Sequence, residues 1–82
     1  MVTEEFEKIM ITWQVIYREL VVWKTIQKRN PKKLEHLKIK LSMLMDEINH
    51  FTKTVAFPKE EIDKILEIKD ECKRYLKLMA AA

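Results

Sequence analysis

Eighty-two residues with no glycine, two prolines, 35% charged side chains and a net charge of +3 bound this chain to one small domain, close to the size at which a single core suffices. The missing glycine excludes phosphate-cradling loops and dinucleotide fingerprints, which need close backbone approach. Basic residues are mostly lysines mixed with glutamates, with only Arg18, Arg29 and Arg74 as arginines, which fits a solvated helical surface and argues against a nucleic-acid groove.

The first predicted helix spans about residues 3–29. Thr3 is a suitable N-cap, with Glu4 and Glu5 placed where the helix dipole favours acids. Asn30 and Pro31 stop it. At about 100° per residue, Phe6, Ile9, Met10, Trp13, Ile16, Tyr17 and Leu20 share one broad face, with Trp23 at its edge. Ile11, Val15, Val22 and Ile26 line the opposite side, where a surface helix normally carries charge. Only Glu4, Lys8 and Arg18 fall near that second stripe. Two apolar sides on one helix of so short a chain imply either a foreign protein partner or a second copy.

The second helix is expected from about 31 to 54. Leu34, Leu37, Leu41, Leu44, Ile48, Phe51 and Val55 alternate spacings of three and four, a regular heptad seam widened by Met45. His36, Ile39, Met43 and His50 form a weaker stripe on the far side. Phe57, held extended by Pro58, is placed to close one end of the core. The third helix, about 58–79, starts with Pro58, Glu60 and Glu61 in its first turn. It turns Ile62, Ile65, Ile68, Cys72, Tyr75, Leu76 and Met79 inward, with Leu66 at the edge, and keeps charge on its other side. Three helices of similar length with two short turns predict an all-α, antiparallel up-down-up three-helix bundle.

No residue set suggests catalysis, a cofactor or a metal. His36 and His50 are 14 residues apart on one predicted helix, about 21 Å, too far to share an ion. Asp46 and His50 are close enough to touch but supply only two ligands. The lone Cys72 has no partner for a disulfide and sits on the apolar seam. The densest apolar stretch carries Arg18 and Glu19 in its middle and is too mixed to span a bilayer, and no signal peptide is evident, so a soluble, non-enzymatic protein is expected, intracellular or recombinant by default. The partner-binding residues expected from the stripes are Ile11, Val15, Arg18, Val22 and Ile26 on helix one, helped by Ile39 and Met43 on helix two.

Regular seams, prolines at helix starts, acids in first turns and an alanine tail together resemble a computationally designed helical mini-protein. Cys72 and the surplus apolar surface depart from that style; a designed binder would account for the second. A more local pattern is also present. Leu34-Glu35-His36-Leu37, followed by Leu41, Met43, Ile48 and Asn49, resembles the first helix of the interleukin-2 cytokines. Pro58, Ile62, Ile65, Ile68 and Glu71 are similar to the third helix of that family, and Glu5-Phe6 with Ile11-Thr12-Trp13 to its last. The resemblance covers three of the family's four helices, in the order last, first, third, and lacks its disulfide. It implies that His36, Ile39 and Met43 face a cytokine receptor beta chain. Lys40 stands where the family has an acidic receptor contact and Lys64 where it has a contacting amide, so weak or absent affinity for that chain is expected.

Overall fold

The computed structural model describes residues 3–25 and 31–81. Helix α1 spans Glu4–Thr25, α2 spans Pro31–Thr54 and α3 spans Lys59–Ala81, with no strand among the described residues. All three pack against one another in a body of 42 × 19 × 17 Å, giving the expected all-α three-helix bundle. Contact is greatest along α1–α2 and α2–α3 and slightest along α1–α3. No helix among the described residues is long and apolar enough to cross a membrane.

The seams form the core. From α1, Ile9, Ile16, Leu20 and Trp23 are buried; from α2, Leu37, Leu41, Leu44 and Ile48; from α3, Ile65, Ile68, Cys72, Tyr75 and Met79. Phe57 closes one end as its position before Pro58 suggested. Phe6, Met10, Trp13, Leu34, Met45, Phe51, Val55, Ile62 and Leu76 pack around this centre half-buried. Burial of each large apolar side chain stabilises the fold by roughly 1.5–3 kcal/mol, so no single one of them dominates.

Two aromatics depart from the periodicity. Trp23, expected at the edge, is 4% exposed, whereas Tyr17, expected in the core, is 44% exposed. The thin α1–α3 contact is the reason: α1 is turned towards α2, which draws Trp23 inward and leaves Tyr17 at an open seam. The helix ends differ slightly as well. Pro58 precedes α3, and its carbonyl accepts the Ile62 amide at 3.0 Å, while the alanine tail prolongs the helix to Ala81. The expected stop of helix one at Arg29–Asn30 lies outside the described residues.

One polar contact ties the two helix starts together. The Thr3 carbonyl accepts the Glu7 amide at 3.0 Å and its hydroxyl accepts the Phe6 amide at 3.4 Å, so Thr3 caps α1. Thr3 also donates its own amide (2.9 Å) and hydroxyl (3.0 Å) to Oε1 of Glu61, a buried residue in the first turn of α3. Oε1 therefore accepts from two donors beside the start of α3, while Oε2 is buried with no hydrogen-bond partner among the described residues. We predict that Thr3→Ala and Glu61→Ala each lower the urea-unfolding free energy by about 1–2 kcal/mol. The double variant should lose at least about 0.5 kcal/mol less than the sum of the two. Strict additivity would show that the two residues act separately.

Candidate protein-binding face

The second stripe of α1 is exposed in the folded chain. Ile11 is 55% accessible, Val15 51% and Val22 47%, on the side of the helix opposite the buried Ile9, Ile16, Leu20 and Trp23. Arg18 is exposed beside them, and Ile26 lies outside the described residues. On α2, Ile39 is 53% and Met43 63% accessible. The packing of α1 on α2 brings part of the two stripes together. Ile11, Thr12 and Val15 of α1 and Met43 of α2 surround a groove of about 350 Å³ whose floor is the core residues Ile16 and Leu44. Val22 and Ile39 do not line this groove.

Lys40 and Glu47 on the rim of the groove each pair with a residue of α1. Lys40 Nζ donates to both carboxylate oxygens of Glu19, at 2.9 and 3.0 Å. Lys8 Nζ lies 3.6 Å from Glu47 Oε1 and 5.9 Å from the centre of the Phe51 ring. These pairs are largely solvated, and each contributes at most about 1 kcal/mol. Their role is to fix the register of α1 on α2. An apolar floor and apolar walls with a charged rim form the arrangement typical of the centre of a protein interface.

A second depression, about 260 Å³, follows the open α1–α3 seam. Trp13, Tyr17 and Tyr75 line it among Lys64, Glu67, Glu71 and Arg74. The Trp13 and Tyr17 rings are 5.6 Å apart and tilted, and Lys24 and Arg74 approach Tyr75 from its faces. Sequence periodicity missed this surface because it assigned Tyr17 to the core. Leu66, expected at the edge of α3, is exposed, as are Val21 and Leu78, to which the periodicity assigned no side.

His50 and Asp46 border a shallow dent with Met43, Glu47 and Phe51. No group of three or more metal-binding side chains occurs among the described residues. Cys72 is fully buried, and burial, reinforced by the neighbouring Glu71 charge, pushes its thiol up to about 12. Comparison of the chain with protein-family models, with curated proteins and with solved structures gave no match.

The thiol is therefore expected to behave as a small core hydrophobe. Cys72→Ala should cost about 1 kcal/mol of stability through the cavity it leaves. Because the folded thiol resists ionisation more than the unfolded one, its contribution holds below the ordinary thiol pKa near 9 and is lost as pH rises towards about 12. Alkaline unfolding of Cys72→Ala should accordingly be less steep above pH 9 than that of the parent chain. Labelling of the folded protein by a thiol reagent at the rate of a free peptide would contradict this placement.

Proposed function

We propose that the chain is a non-enzymatic protein-binding module, designed in origin, that docks a protein partner through the outer face of α1 and α2. The observation that carries this reading is the continuity of Ile11, Val15 and Met43 around one apolar groove, bounded by the Glu19–Lys40 and Lys8–Glu47 pairs. A large apolar side chain of a partner would enter the groove as an anchor, with the charged rim excluding water around it. Val22, Arg18 and Ile39 extend the contact along the two helices. Designed origin is supported by the agreement of caps, seams and turn residues with one fold.

A second reading makes the partner a cytokine receptor chain. It is supported by the convergence of Ile11-Thr12 and Met43 on one groove, since these come from the segments that resemble the last and first helices of the interleukin-2 cytokines. Lys40 is part of that groove and is engaged by Glu19, so the rim offers the receptor a lysine in place of the family's acid. Weak or absent binding to the beta chain is the expected result, and nanomolar binding would make this the leading reading.

The site can be tested before the partner is named. A photo-crosslinking residue at Val15 or Met43, with the dilute chain in a cell extract, should capture a second protein. The same residue at Lys73, on the charged side of α3, should capture none. Equal adduct formation from all three positions would sink the assignment of the face.

A further inference from the structure

The rim of the α1–α2 face has a charge order that is its own complement. Along α1 it reads Lys8 then Glu19, 11 residues apart, and on α2 it reads Glu47 then Lys40, seven apart. Each pair bridges the helices, the long side chains spanning an axial offset of about 3 Å at each end if the two spans share a centre, as the groove lined from Ile11 to Ile16 on α1 and from Lys40 to Glu47 on α2 indicates. The midpoint between Lys8 and Glu19 is therefore level with the midpoint between Glu47 and Lys40, beside Met43. A two-fold axis lying in the face at that level, across both helices, would place α1 antiparallel to α1 of a second copy. Lys8 would then oppose Glu19 of that copy, and Lys40 would oppose Glu47.

The groove half of the face follows the same register, whereas Val22 and Ile39 lie beyond it. Glu7 and Arg18 lie together on the flank of the stripe away from α2, as the helical repeat places them. The two-fold brings Glu7 opposite Arg18 of the second copy, and Ile11 opposite Val15, all within about one residue of the Lys8–Glu19 register at 1.5 Å per residue. Met43 meets its own equivalent near the axis. The two sets of charge pairs and the Ile11–Val15 pair are thus compatible with one operator, as an isologous contact requires.

We propose that a second copy of this chain covers the α1–α2 face through this antiparallel two-fold when no other partner is bound. The proposal rests on the reading of that face as an interaction surface, and it makes self-association a competitor of partner docking. The exposed apolar side chains facing the two-fold are few (Ile11, Val15 and Met43), against about 800 Å² per partner for a standard interface, so the dimer is weak and half-formed at roughly 0.1–1 mM. Opposite charges across the two-fold set its register more than its strength.

Sedimentation equilibrium from about 20 µM to about 2 mM brackets that affinity. The mass is expected to rise from one chain towards two. Glu7 and Arg18 are both exposed and take part in no ion pair among the described residues, so they can be changed without disturbing the monomer. Arg18→Glu should weaken the dimer about five- to tenfold, since every substitution acts twice across the axis. Adding Glu7→Lys should restore it, while Lys73→Glu, an equal change of net charge on α3, should have little effect. A monomeric chain throughout, or failure of the second substitution to restore the dimer, would overturn the proposal. Capture of another protein from position 15 is independent of both outcomes, so the dimer and the docking face can fail separately.

Discussion

A helix in a three-helix bundle can turn only part of its circumference towards its two neighbours, and α1 carries large apolar side chains over more than that part. Ile9, Ile16, Leu20 and Trp23 take the places available in the core. Ile11, Val15 and Val22 are on the same helix and cannot reach it, because about 100° per residue sends them to the other side. No rotation of α1 buries both sets at once. The exposed face follows from this limit, since α2 and α3 both pack against the opposite side of α1.

The way α1 sits on α2 then decides what the surplus becomes. The interhelix pairs Lys8–Glu47 and Glu19–Lys40 are weak as stabilisers, yet they hold the two stripes at one level and leave a groove between them. Because α1 leans towards α2, the α1–α3 seam opens and carries Tyr17 outward beside Trp13. The bundle therefore presents two chemically different sides of the same helix. One is aliphatic with an ionic rim. The other is aromatic and mixed with charge.

Much of this was legible in the sequence. The seam Leu34 to Val55 left one packing direction for α2, and the charged side of α3 left one for that helix. Thr3 and Pro58 marked two helix starts to within a residue. The stripe of Ile11, Val15 and Val22 was visible because α1 lacks the polar residues that would normally stand there. What the periodicity could not supply was the relation between helices. Whether Met43 or Tyr17 lies beside the stripe depends on which flank of α1 meets α2, and a single helix carries no signal for that. Glu61 was read as an ordinary first-turn acid, since its partner Thr3 is 58 residues away. Lys40 was read against a receptor contact, and its partner Glu19 belongs to another helix.

The proposed binding role requires that the outer stripe of α1 face solvent and contribute nothing essential to the core. The most direct measurement is thermal unfolding of Val15→Glu with Val22→Glu, followed by helical circular dichroism beside Leu20→Glu. The stripe variant should keep the parent's helical signal at room temperature and unfold within a few degrees of it, as solvent-facing substitutions do. Leu20→Glu, which buries a charge among Ile16, Leu41 and the rest of the core, should be largely unfolded. Loss of the helical signal in the stripe variant at room temperature would place Val15 and Val22 in the core and contradict the packing described for α1.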